Sequence, residues 1–271
     1  MRSELLSLRK NKVACFSLIS LLLLFVIYTI SVLLSVKAIV IDYAAARMTY
    51  DFSANQKPDS FSALYFWYGT TGPYKLPSSW FSFFETILDL LLIPIFLGMA
   101  FVDSFVQDYN SRVTDILITR EGKWRYYRNK FTLSFMGPFL TMFILLIIQF
   151  LFGILMLRLI PTGFRSPNIG LEEVGIVLLT SLRISIYNGA IITFSYALSL
   201  ILKRKKALTY AYPVILGLLF TMVFMPAPFN MAFAYSNLIR NDYRIFWGSI
   251  IAMLLSALCV QLCALQEKWS L

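Results

Sequence analysis

Histidine is absent from this chain of 271 residues, and cysteine occurs only three times. Without an imidazole, the common zinc sites and the histidine-based catalytic triads are excluded. Cys15, Cys259 and Cys263 all fall inside apolar runs, where a thiol behaves as a small hydrophobe. Cys259 and Cys263 stand one helical turn apart, but two thiols alone make a poor metal site, so no metal or other cofactor is expected. A phosphate-binding loop is lacking as well. In the Gly122-Lys123 pair, Trp124 follows where Ser or Thr is required, and Leu117 stands where the loop needs its first glycine. The chain should therefore not hydrolyse ATP by itself, and no catalytic residues are assigned. Charge is scarce too: Asp, Glu, Lys and Arg make up 14% of the residues.

What is abundant is apolar sequence. Hydrophobic residues amount to 59% of the chain, and the mean hydropathy is +0.72. Soluble domains stay near 45–50% apolar. The excess lies in long runs, so the fold class is an all-α membrane protein forming one transmembrane domain over residues 1–271. Six spans are expected, at about 13–36, 80–102, 131–160, 176–202, 207–225 and 245–265. The first apolar run is too long for a cleaved signal peptide and reads as a retained helix.

The net charge of +10 does not point to nucleic acid, because the basic residues cluster at the ends of apolar runs. Arg2, Arg9, Lys10 and Lys12 precede the first span. Arg112, Arg120, Lys123, Arg125, Arg128 and Lys130 lie between the second and third. Lys203, Arg204, Lys205 and Lys206 separate the fourth and fifth, and Lys268 follows the last. Basic residues are retained inside, so both termini are expected in the cytoplasm. The first outer loop, about 37–79, is long and aromatic. The stretch from Pro226 to Tyr243 is apolar but broken by prolines, and reads as a re-entrant segment.

Between the second and third spans the chain does not simply turn around. Phe105, Val106, Tyr109, Val113, Ile116 and Leu117 recur at helical spacing, with Asp108, Ser111, Arg112 and Asp115 on the opposite side. A basic and aromatic stretch, Lys123 to Lys130, then leads into the third span. Such a helix either lies in the headgroup layer or docks on a partner. Within the spans, Glu85 and Asp89 stand one turn apart, and Arg183 interrupts the fourth. Counted at about 1.5 Å per residue from Asp103 and Lys203, Glu85 and Arg183 come out nearly level, so an ion pair or a place on a transport pathway is considered for Glu85, Asp89 and Arg183. Gln149 and Asn188 are further polar positions inside spans, and Pro94 and Pro213 are expected to kink their helices.

The cytosolic segment, the six spans and the loop sizes together resemble the permease subunit of a bacterial ABC-2-type exporter. Asp103 and Asp108 match the acidic positions of that family's cytosolic helix. Ile116-Leu117-Ile118-Thr119-Arg120 matches its apolar stretch and turn, and Arg125 to Lys130 its basic-aromatic approach. At Asp108-Tyr109-Asn110-Ser111 the sequence departs from the Glu followed by Gly-Thr or Gly-Ser that is frequent there. The resemblance implies a multi-pass protein of the bacterial cell membrane that exports a hydrophobic or amphipathic cargo (peptide, drug or lipid). It implies a separate ABC ATPase, a second permease subunit, identical or different, and the lipid bilayer as partners, with no nucleic acid. It further implies that Asp108, Ser111, Arg112, Asp115, Thr119, Arg120 and Glu121 dock on the ATPase, with Lys203, Arg204 and Lys205 as a second cytosolic contact. The alternative is an ATP-independent membrane protein: a self-immunity protein, an intramembrane enzyme or a secondary carrier.

The charge distribution makes a direct prediction. Single cysteines replacing Lys12, Lys123 or Lys205, in a background lacking the three native cysteines, should resist a membrane-impermeant thiol reagent in intact cells. Cysteines replacing Lys57 and Lys75 should react. Labelling at position 123 would refute the orientation.

Overall fold

The computed structural model describes residues 11–27, 92–103, 105–106, 113–159, 171–201, 213, 215 and 243–266. These residues form six helices: α1 (Lys12–Ile27), α2 (Ile93–Phe101), α3 (Val113–Glu121), α4 (Lys123–Leu159), α5 (Leu171–Ile201) and α6 (Tyr243–Gln266). Three stretches within α4, α5 and α6, Lys123–Phe152, Val177–Ile201 and Trp247–Leu265, are long and apolar enough to cross a membrane. The first outer loop, nearly all of the expected fifth span and the proline-broken segment before the last span lie outside the described residues. So does the outer part of the second span, up to residue 91.

Local sequence accounts for the ends of these helices. Asn11 caps α1: its side-chain oxygen accepts from the backbone N–H of Val13 at 3.0 Å and of Ala14 at 3.4 Å. Pro94 occupies the first turn of α2, where a missing N–H costs least. Gly122 separates α3 from α4 with a φ of +81°, a conformation that glycine adopts without penalty. Its N–H still bonds Ile118, while its carbonyl accepts from Tyr126, so α4 starts where α3 stops.

α5 lies at the centre. It packs against α2, α4 and α6, and 78% of its apolar stretch is buried, against 33% for α4 and 28% for α6. A helix enclosed by helices needs small side chains so that neighbours can approach. Thr180, Ser181, Ser185, Thr193, Ser195 and Ser199 are all buried along α5. Their hydroxyls mostly turn back on the helix itself: Ser185 donates to Ser181 O at 2.6 Å, Thr193 to Gly189 O at 2.7 Å and Ser195 to Ile191 O at 2.8 Å. The Asn188 amide does the same, donating to Ile184 O at 2.9 Å.

The neighbours of α5 show a four-residue rhythm. On α4 the buried positions run Tyr126, Lys130, Ser134, Pro138, Met142, Leu146 and Phe150. On α6 they run Gly248, Ala252, Ser256, Val260 and Ala264, mostly small residues. The opposite sides carry exposed apolar residues, including Met136, Leu140, Ile144 and Ile148 on α4 and Ile251, Leu254, Leu255, Leu258 and Leu262 on α6. α1 follows the same logic, burying Ala14, Ser17, Leu21 and Phe25. Cys259 and Cys263 are half-buried and pack against the core.

Two glycines set the closest approaches. A Cβ at Gly137 would fall 2.3 Å from the Phe101 ring, and one at Gly189 would fall 2.9 Å from the Phe135 ring and 3.1 Å from its carbonyl oxygen. Pro138 follows Gly137 inside α4 and leaves the Ser134 carbonyl without its usual donor, yet the helix continues through it. At Gly175 the space around a Cβ is open.

These contacts predict opposite effects of one methyl group. Gly137→Ala should destabilise the purified protein by about 1–3 kcal/mol through overpacking, and Phe101→Ala should relieve part of that loss. Gly175→Ala should be neutral or stabilising by up to about 1 kcal/mol. Thermal unfolding in detergent compares the three.

Candidate functional site

The α3–α4 corner is the one place where a short polar helix is fastened to the apolar bundle. Thr114 is buried, and Leu117 and Ile118 pack against the main core, so α3 sits on the bundle through the side that carries these three residues. Ile116 is 59% exposed. The sequence pattern had put Ile116 on the apolar side together with Leu117; the packed face is turned so that Ile118 takes that role. The physical reason is local. Gly122 fixes where α4 starts, and the Thr114–Tyr126 contact then sets the rotation of α3.

That contact joins Thr114 Oγ1 and Tyr126 Oη at 3.4 Å across the corner, both buried. Tyr126 meets the ring of Tyr127 edge-on at 5.5 Å, and both rings are buried. Lys130, one turn on, is only 3% exposed, and its ammonium lies 5.8 Å from the centre of the Tyr126 ring. A cation over an aromatic face is attracted by the ring's negative charge distribution. Asp103 is buried as well, at the inner end of the second span between Val102 and Phe105. Phe105 in turn meets Tyr196 of α5 edge-on at 4.8 Å. The corner therefore joins α3, α4, α5 and the end of the second span.

The other side of α3 is open. Asp115, Thr119 and Arg120 are exposed beside Ile116. Asp115 stands in the first turn and Arg120 in the last, the ends where each charge opposes the helix dipole. Thr119 donates its hydroxyl back to Ile116 O at 2.8 Å and Asp115 O at 3.1 Å. The backbone of Glu121 closes the helix. Asp108, Ser111 and Arg112 lie outside the described residues, as do Lys203, Arg204 and Lys205. Four of the seven expected docking positions, Asp115, Thr119, Arg120 and Glu121, are thus gathered on this one helix.

Of the three intramembrane charges, only Arg183 is described, and it is half-buried; Glu85 and Asp89 lie outside. The described contacts do remove the common inner boundary from which the depths were counted. Phe105 meets Tyr196, five residues before the end of α5, so α5 continues past the level of Asp103. Gln149 is buried, and neither of its amide atoms has a hydrogen-bond partner among the described residues; Ser181 Oγ is in the same position.

The residues that sequence reading undervalued are Thr114, Tyr126, Tyr127 and Lys130. Thr114 had been given no role and the other three counted only as part of the basic-aromatic approach to the third span, yet all four are buried at this corner. The signal was present in the spacing. Tyr126 and Lys130 begin the four-residue series that Ser134, Pro138 and Met142 continue.

Comparisons with protein-family models, curated proteins and solved structures return no match for the chain.

The fastening predicts a coupled pair. Thr114→Val and Tyr126→Phe should each cost about 1 kcal/mol, the size of one net hydrogen bond. The double variant should cost less than the sum, as contacting residues do. Unfolding of detergent-solubilised protein measures all three.

Proposed function

We propose that this protein is the permease subunit of an ABC exporter, driven by a separate ATPase subunit. In this reading it is a multi-pass protein of the bacterial cell membrane with both termini in the cytoplasm, and it works beside a second permease subunit. What supports the reading is the corner of α3 and α4. A short helix shows Asp115, Ile116, Thr119 and Arg120 to the outside, while Thr114, Leu117 and Ile118 tie it to the bundle. A helix that only turned the chain around would not need so many buried attachments. The family resemblance of the Asp103–Lys130 segment gives this helix its role, docking on the ATPase.

The mechanism follows from the attachments. ATP binding and hydrolysis take place on the ATPase, whose closure displaces α3. Tyr126 is bonded to Thr114 and sits in the first turns of α4, so the displacement enters α4 directly. Phe105 against Tyr196 carries it to α5 as well. The cargo is hydrophobic or amphipathic, in keeping with spans of few charges and many aromatics. The chain itself performs no bond-making chemistry.

A charge reversal separates docking from mere residence on lipid. Asp115→Arg is exposed and should leave membrane insertion and yield unchanged. It should reduce co-purification of the ATPase at least tenfold, about 1.4 kcal/mol or more. Asp108→Arg, also on the expected docking surface, should act alike. The measurement is pull-down of candidate ABC ATPase subunits co-expressed with this chain, with expression of each variant quantified. Normal binding by both variants would sink the docking role and favour an ATP-independent membrane protein.

A further inference from the structure

We infer that the first turns of α4 carry a binding surface for anionic phospholipid headgroups, formed by Trp124, Arg125 and Arg128. The inference goes beyond the transport reading and does not rest on it.

The surface is the polar end of a continuous ridge. Trp124, Arg128, Met136, Leu140, Ile144 and Ile148 are exposed at four-residue intervals, with half-buried Thr132 filling the remaining step. Leu151 and Leu155 extend the ridge outward. From Met136 to Leu155 it is apolar and about 28 Å long, which matches a hydrocarbon layer of about 30 Å. Acyl chains are the occupant that such a length and composition fit. The same ridge then continues through Thr132 to Arg128, about 12 Å beyond Met136. At that depth a long basic side chain reaches the headgroup phosphates. Trp124, 54% exposed, follows one turn later beside exposed Arg125. About 18 Å beyond Met136, its indole stands at the outer rim of the surface and offers an apolar face with a polar N–H.

The charge is of one sign. α4 contains no acidic residue, so nothing on the helix neutralises Arg125 and Arg128. Lys130 is not part of this surface, being buried over Tyr126. The first two turns are therefore divided: Tyr126, Tyr127 and Lys130 hold the protein together, and Trp124, Arg125 and Arg128 face outward. An anionic headgroup supplies the phosphate oxygens that guanidinium groups bind in pairs. A zwitterionic headgroup brings its own cation and is a poorer match.

The test uses the full chain without any ATPase, so a failure here leaves the docking role untouched. Trp67, Trp80, Trp247 and Trp269 are changed to Phe, leaving Trp124 as the sole indole. The protein is placed in bilayers of equal parts phosphatidylcholine and phosphatidylglycerol, with pyrene on the acyl chains of one lipid or the other, an energy acceptor that reads an indole beyond contact distance. Pyrene-labelled phosphatidylglycerol should quench Trp124 more effectively, by about fivefold in apparent affinity per arginine engaged. The preference should fall to parity in Arg125→Gln/Arg128→Gln and at high salt. Equal quenching by both lipids would overturn the recognition of charge. Absence of quenching by either would place the surface away from the bilayer, and would overturn the inference too. Should the four Phe replacements prevent folding, a photoreactive benzoylphenylalanine at position 124 of the otherwise unchanged chain gives the second readout. A phosphatidylglycerol adduct in mass spectrometry supports the surface, and adducts with phosphatidylcholine or protein alone refute it.

Discussion

Everything else in this fold depends on the enclosure of α5. Surrounded by α2, α4 and α6, it has no lipid face through most of its length and little room for large side chains. In a bilayer, water offers no hydrophobic gain for pushing two apolar helices together, so close packing and internal polar bonds must do it. α5 meets both demands with small hydroxyl residues, among which Ser185, Thr193 and Ser195 donate to its own backbone. Gly189 admits Phe135, and Gly137 on α4 admits Phe101, so aromatic rings lock into the backbone of the neighbouring helix. The stacked series Phe135, Phe139 and Phe143 stiffens α4 alongside, with ring centres about one turn apart at 5.9 and 6.1 Å.

The α3–α4 corner extends that core beyond the apolar part of α4. α4 has 37 residues and would be about 55 Å long, well beyond the hydrocarbon thickness. Its excess carries Tyr126 into contact with Thr114 of α3 and buries Tyr127 and Lys130 beside it. A buried ammonium would be costly alone; over an aromatic ring, part of its lost hydration is replaced by attraction to the ring face. Because Gly122 is both the end of one helix and the start of the next, no slack loop lies between α3 and α4.

Much of this was legible in the residues. Long apolar runs announce α4, α5 and α6, since length and hydropathy are additive properties that need no knowledge of neighbours. The outward polar side of α3 was legible for Asp115, Thr119 and Arg120. Rotation was harder. Val113, Ile116 and Leu117 satisfy a helical pattern as well as Thr114, Leu117 and Ile118 do, and it is the packing of Leu117 and Ile118 on the core, with the Thr114–Tyr126 contact, that distinguishes them. Burial of Lys130 was illegible for a similar reason: a lysine at the edge of a span is ordinarily a snorkelling residue, and the ring that receives it lies one turn away on the same helix.

The four-residue rhythm of α4 and α6 has a geometric consequence. A helix has about 3.6 residues per turn, so positions four apart precess by about 40° at each step. Rows of this kind run obliquely to the axis, and two helices that interlock along them cross at an angle rather than lying side by side. Crossed rods touch closely at one level and part on either side of it. Gly189 against Phe135 marks a close approach of α5 to α4, and Gly137 against Phe101 one of α4 to α2. Each glycine thus fixes both the separation and the depth at which its helix meets a ring of its neighbour.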